Sequence, residues 1–404
     1  MSGNGDNVWI LGTSMLKFGR YPDRDVVDLG SEAALAAFTD GETSIMDMDV
    51  LAVGCLAEAS GMVGQRIQKQ IGQTGIPVFN VANACATGAT AVRSVYMAIK
   101  AGEADMGLAI GVEQMGKQGL LGAAGKARGD KHVYERRGRY GAVMGVEGIV
   151  GTGLMPGVFA QAGMEYANAH DGVGFEQFAR VAEKNHAHSE LNPLAQYQKV
   201  FSLEEVMGAE MISYPNTLLM CCPTGDGAAA AVLVSEERLR TLSTDQQRRA
   251  VKISASVLTS DEWTESDQVQ PDVNTCTRLA AKKAYEAAGI GPDDIDLVEL
   301  HDCFATAELL HYDNLRLCEP GGAGAFIDAR GPWRDGTTPV NVSGGLISKG
   351  HPLGATGVAN LYEVATHLRG EAGDRQIEGA TVGLTHVIGL GSACSVHILE
   401  KAAA

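Results

Sequence analysis

Apolar positions along the chain come in two rhythms. Helix-like spacing fills the Ala-rich stretch 31–46, SEAALAAFTDGETSIM, and DMDVLAVGC (47–55) follows, an acidic start leading into the continuous apolar run of a buried strand. The same order returns where CTRLAAKKAYEAAGIGPD (276–293) leads into DIDLVELHD (294–302). The offset that sets Asp49 against Asp296 also sets Ala34 on Ala281, Phe38 on Tyr285 and Val53 on Leu300, so a helix feeding a buried strand is predicted twice. Two further echoes keep the order. PVFNVANACATGAT (77–90) and PVNVSGGLISKGHPLGATG (339–357) both read as a strand, a turn of small residues and a helix start. GDGAAAAVLVSEE from Gly225 and GSACSVHILEKA from Gly391 both read as a glycine turn opening an apolar strand.

The halves differ in one place. The chain from Cys85 to Gly225 exceeds its counterpart from His351 to Gly391 by about 100 residues, which places an insertion at 116–220. The expected fold is α/β: two duplicated halves, 1–250 and 251–404, with largely parallel buried strands around a shared centre and the insertion as a cap over one face. The apolar stretch Ala142–Met164 holds Glu147, Pro156 and six glycines, so a buried loop is expected there rather than a membrane span.

Composition narrows the partners. Of 404 residues, 45% are hydrophobic and 20% charged, an ordinary globular balance. Lys and Arg total 32 against 49 Asp and Glu, a net charge of -17, which repels polyanions and argues against nucleic acid as a partner. The start, MSGNGDNVWILGTSMLKFGR, shows no signal peptide, the end, EKAAA, shows no peroxisomal tripeptide, and no run spans a membrane, so a cytoplasmic protein is expected. The eight cysteines have no C-x-x-C pair or zinc-type spacing; most are expected to be reduced, buried thiols, and no metal is expected.

Three segments carry candidate chemistry. Cys85 lies in Asn83-Ala84-Cys85-Ala86-Thr87-Gly88-Ala89, between an apolar run and a helical stretch. A thiol at a helix start is expected to have a lowered pKa, with small neighbours leaving room for a carbonyl; a small core cysteine is the competing reading of that segment alone. His351 lies in Gly350-His351-Pro352-Leu353-Gly354-Ala355-Thr356-Gly357 at the matching place in the other half, where a general base for Cys85 is wanted. His301, Asp302, Cys303 and Phe304 end a predicted strand, so that His301 and Cys303 can face one cleft with Asp302 turned away as support.

Together N-A-C-A-T-G-A, H-D-C-F, G-H-P-L-G-A-T-G and V-I-G-L-G-S-A resemble the thiolase superfamily over nearly the whole chain, and H-D-C-F is similar to the sterol-carrier-protein-type branch. The resemblance implies a five-layered αβαβα fold and Claisen chemistry on coenzyme A thioesters, with coenzyme A as substrate and no bound cofactor. It makes Cys85 the acyl-accepting nucleophile and His351 its activator. His301 stands where most thiolases have the Asn that positions an oxyanion-hole water, and the backbone N–H groups of Cys85 and Gly389 form a second oxyanion hole. Most thiolases carry a second cysteine in a C-x-G loop, where this chain reads Val387-Ile388-Gly389; Cys303 is then the candidate acid/base, and Cys394 is structural. The resemblance also implies a homodimer or homotetramer. Its alternative is a thiolase-fold lyase, a retro-aldolase working with an accessory subunit.

Weaker signals remain. The segment 126–140, KARGDKHVYERRGRY, offers Lys126, Arg128, Arg136 and Arg137 to coenzyme A phosphates, or is a solvated or subunit-contacting loop. The Gly- and Met-rich stretch 141–159 lines an acyl pocket or packs the insertion. Cys221 and Cys222 read as buried packing, and His186 and His188 as a solvated helix end.

Overall fold

The computed structural model describes residues 7–115, 154–262 and 272–402; Lys126, Arg128, Arg136 and Arg137 lie outside them. The first half runs β1 (Val8–Met15), α1 (Val26–Gly41), β2 (Val50–Gly54), α2 (Val63–Ile71), β3 (Val78–Val81), α3 (Thr87–Lys100) and β4 (Met106–Gln114). The described part of 116–220 holds α4 (Leu154–Ala169), α5 (Phe175–Ser189), α6 (Leu203–Gly208) and a small hairpin, β5 (Met211–Ser213) with β6 (Asn216–Thr217). Then come β7 (Asp226–Ser235), α7 (Glu236–Leu239) and α8 (Thr244–Arg249). The second half runs β8 (Val251–Thr259), α9 (Thr277–Ala288), β9 (Leu297–Glu299), α10 (Ala305–Asn314), α11 (Ala323–Asp328), α12 (Gly345–Lys349), α13 (Leu353–Arg369), β10 (Val382–Gly389) and β11 (Ala393–Lys401).

Nine strands form one sheet in the order β3-β2-β4-β7-β1-β8-β11-β10-β9. It reads as one pattern and its mirror, joined where Val8, Trp9 and Ile10 of β1 pair with Ile253, Lys252 and Val251 of β8. The expected parallel sheet is in fact mixed. Only β2 with β3, β2 with β4 and β9 with β10 run parallel; β7 and β11 each run against both neighbours. Antiparallel partners need only a short turn, as at Gly389–Ala393 between β10 and β11. The strand expected in 339–343 shrinks to one parallel bridge, Val340 with Val298, in the place that β3 holds beside β2.

The layers follow from which faces are apolar. Helices α1 and α2 cover the outside of the first half, packing Leu29, Ala33 and Ile67 against Leu108, Ile110 and Val232. Helices α3 and α13 lie between the halves, where Val92, Val95, Val358 and Leu361 share one core with Leu233, Leu297 and Leu399. Helices α9 and α10 cover the second half, and α4 and α5 of the insertion pack on α10. The stretch expected to be a buried loop is helical from Leu154.

Glycine lets the two central helices meet. A Cβ on Gly88 would sit 2.5 Å from the Gly354 carbonyl oxygen, and one on Gly357 would sit 2.2 Å from the Ala89 nitrogen. The small residues flanking Cys85 and His351 therefore serve close backbone packing first.

Candidate active site

Cys85 and His351 occupy equivalent turns. Each lies two residues before a central helix, Cys85 before α3 and His351 before α13. The Cys85 turn is tight: Ala84 takes a positive φ of 47°, Ala86 N donates to Asn83 O at 2.9 Å, and Thr87 Oγ1 donates to Ala84 O. Gly389, at the end of β10, closes on the turn, since a Cβ there would meet Asn83 O at 2.2 Å. Its neighbour Val387 shares a small apolar cluster with Cys85, Ala86, Met115 and Leu353.

The structure brings Cys85, His301 and His351 together. The Cys85 Sγ and one ring nitrogen of each histidine lie within 4.8 Å of one another, and all three side chains are buried. The two imidazoles meet edge to face with ring centres 5.1 Å apart. His351 Nδ1 lies 2.8 Å from Thr356 Oγ1, and that hydroxyl donates its own proton to Pro352 O at 2.9 Å. The hydroxyl oxygen must therefore accept from His351 Nδ1–H, which leaves Nε2 a bare lone pair, without a partner among the described residues. Neither ring nitrogen of His301 has a partner among the described residues.

Burial sets the protonation states. It pushes the His301 imidazole down to about 3 and holds His351 well below 6.5, with His301 and Lys349 adding to the effect, so both bases are neutral. The lowered thiol expected of Cys85 is not found: burial, helped by the Glu113 carboxylate, pushes it up to about 12. A neutral thiol beside a neutral imidazole can pass its proton only as the sulfur attacks.

Cys303 stands outside the triangle but near it. Its buried thiol is held well above its usual range by burial first, then by Cys222 and Cys85. Cys221 pairs with Phe304 in an antiparallel bridge, and Cys222 N donates to Cys303 O at 2.9 Å. The Cys221–Cys222 segment, read from sequence as packing, thus splints the H-D-C-F tetrad. Asp302 is turned away as expected, accepting from Leu346 N at 2.6 Å, Ile347 N at 3.2 Å and Asn185 Nδ2 at 2.7 Å.

Several residues of the site were not visible in the sequence. Phe159 of α4 lies with its ring centre 6.1 Å from that of His301 and 5.5 Å from that of Phe304, so the insertion reaches the site. Glu113 accepts from Leu56 N, Ala57 N and Gly354 N at 2.9, 3.0 and 3.1 Å, tying the start of α13 to the first half; a single acid at the end of the apolar run 106–114 was the available signal. His301 N points at His386 Nδ1. His186 and His188, expected at a solvated helix end, are buried, because α5 packs between α10 and α12; His188 receives Arg334 N and faces Asn341 O. Cys394 is buried in β11 against Thr277.

Known proteins carry the same plan. The family described as Thiolase, N-terminal domain matches residues 8–213, and Thiolase C-terminal domain-like matches 259–401. Sterol carrier protein 2 of Homo sapiens is 40% identical over 402 residues, 97% of this chain and 72% of that protein. An acetyl-CoA acetyltransferase of Methanothermobacter thermautotrophicus is 35% identical over 400 residues, 98% of this chain and 100% of that one. The solved structure of the Ltp2-ChsH2(DUF35) aldolase has a TM-score of 0.80 at 23% identity, covering 98% of both chains, a likeness of fold. Two matched halves, their equivalent turns meeting at one buried thiol, make this chain a member of the thiolase family.

Proposed function

We propose that the protein is an acyltransferase of coenzyme A thioesters, catalysing thiolytic cleavage of a 3-oxoacyl-CoA or the reverse condensation. The observation that carries this reading is the Cys85 thiol grouped with two neutral imidazoles, His351 with its Nε2 and His301 with both ring nitrogens unpartnered among the described residues. In the cleavage direction Cys85 Sγ attacks the 3-oxo carbon while His351 Nε2 takes its proton. The C2–C3 bond then breaks, its electron pair leaves as the enolate of the shortened thioester, and Cys303 protonates that carbon. The thiol of coenzyme A next gives its proton to the Cys303 thiolate and attacks the acyl-Cys85 carbonyl, and His351 returns its proton to the Cys85 sulfur as that leaves. His301 holds the thioester oxygen through water, and the N–H groups of Cys85 and Gly389 hold the oxyanion on the acyl carbon, the kind of donor pair worth about 3 kcal/mol per donor in related chemistry.

Three further readings belong to the same proposal. Residues 1–250 and 251–404 are the duplicated halves, with 116–220 inserted. The basic side chains Lys126, Arg128, Arg136 and Arg137 meet the phosphates of coenzyme A. A second copy of the chain docks through the first half, where edge strand β3 leaves Phe79 exposed.

The test is to incubate the protein with acetyl-CoA or acetoacetyl-CoA, quench, digest and search by mass spectrometry for an acetyl group on the Cys85 peptide. Acetylation of Cys85, absent in Cys85→Ser, is the expected outcome. In Cys303→Ala acetylation should persist while solvent exchange of the α-hydrogens falls by about 100-fold or more. An unmodified Cys85, beside a control thiolase that acetylates, would replace this reading with the lyase that works with an accessory subunit.

A further inference from the structure

The thiol–imidazole triangle has a second chemistry that does not depend on which reaction it performs. We propose that Cys85, His301 and His351 form a binding site for a borderline-soft divalent cation, Zn2+ being the natural ion, which closes the active site by occupying its thiol and both its imidazoles.

Four observations support the assignment. The donor atoms, one sulfur and two ring nitrogens, lie within 4.8 Å of one another and are buried. Among the described residues His301 has no hydrogen-bond partner on either ring nitrogen, and His351 has none on Nε2, so the lone pair of each imidazole is not committed to any of them. The far side of His351 is already arranged as ligating histidines are, with Nδ1–H donated to a fixed acceptor, Thr356 Oγ1, at 2.8 Å. Finally, the donor set is sulfur and nitrogen without a carboxylate, which suits Zn2+ or Co2+ and not Mg2+ or Ca2+. Coordination expels the Cys85 proton to solvent and leaves a fourth, open position. The sequence gives no sign of this cluster because its members stand at 85, 301 and 351, far from any zinc-type spacing.

The ion and an acyl group compete for one sulfur. Acyl transfer should therefore be inhibited by micromolar Zn2+, restored by a chelator and indifferent to Mg2+. The deciding measurement is spectroscopic, so that it stands apart from turnover: the full chain, stripped with chelator, is titrated with Co2+. The expected result is one equivalent bound, with a sulfur-to-cobalt charge-transfer band and the intense visible bands of four-coordinate Co2+, all bleached by Zn2+. Cys85→Ser should abolish the charge-transfer band, and Thr356→Val, which removes the acceptor of Nδ1–H together with that hydroxyl's bond to Pro352 O, should weaken Zn2+ binding roughly 10–100-fold. As a check free of any fold defect in the variants, Zn2+ should slow alkylation of Cys85 in the unaltered protein. Cobalt bound without a sulfur band, a band that survives in Cys85→Ser, or Cys85 alkylated equally fast with and without Zn2+ would each overturn the proposal.

Discussion

At Cys85 two effects oppose each other. A helix start favours a thiolate by about 1 kcal/mol; burial and the Glu113 carboxylate raise the thiol from 9.0 to about 12, and three pKa units correspond to about 4 kcal/mol. Burial wins, and the resting thiol keeps its proton. The alkylation rate of Cys85 by iodoacetamide should consequently keep rising about tenfold per pH unit from pH 7 to 10; a plateau setting in near pH 7 would show the lowered thiol that the sequence suggests. The four side chains proposed to react, Cys85, His301, Cys303 and His351, could be singled out because each sits inside a short motif, and three of them, Cys85, His301 and His351, meet in the fold. The protonation state was not, because it depends on Glu113, Lys349 and the depth of burial, which only the folded chain brings together. Thr356 was visible as a letter of G-H-P-L-G-A-T-G, while its work of holding the His351 tautomer was not.

The crossing of α3 and α13 is a backbone contact with no space to yield. Gly357→Ala would push a methyl against Ala89 N at 2.2 Å, so the helices must part, at about 3 kcal/mol or more. Gly19→Ala meets nothing within 4 Å and should stay within about 0.5 kcal/mol. Urea unfolding of both variants checks this; equal midpoints would mean the crossing adapts. The same scale shows what a sequence pattern can hold. Helix and strand order were readable from the two apolar rhythms, because each rhythm is local. Strand direction was not: the runs that became β7 and β11 are as apolar as parallel strands, and their direction depends on partners set by the whole sheet. The strand expected at 339–343 failed for a related reason, since Asn341 takes a positive φ of 52° and its side chain accepts from Leu300 N instead of extending the ladder.

Across the molecule, eight of the ten histidines are held below 6.5, chiefly by burial: His186, His188, His301, His311, His351, His367, His386 and His397. The unfolded chain takes up protons on these groups as pH falls below 6.5 before the folded chain does, so folding is penalised from 6.5 downward, by at most about 1.4 kcal/mol per pH unit for any one residue. Above 6.5 the penalty vanishes. The urea midpoint should drop steeply between pH 6.5 and 5, with proton uptake on unfolding seen by calorimetry in buffers of different ionisation heat; a flat profile over that window would contradict the buried neutral histidines. The equivalence of the turns before α3 and α13 has one more consequence. The turns bring Cys85 and His351 together from matching places, so two identical turns would set thiol against thiol or imidazole against imidazole, neither of them a donor matched to an acceptor. The thiol–imidazole pair exists because the two turns differ, Cys in one and His in the other, so exchanging Cys85 and His351 conserves composition and scaffold yet asks whether the proposed chemistry follows the pairing or the surroundings of each turn.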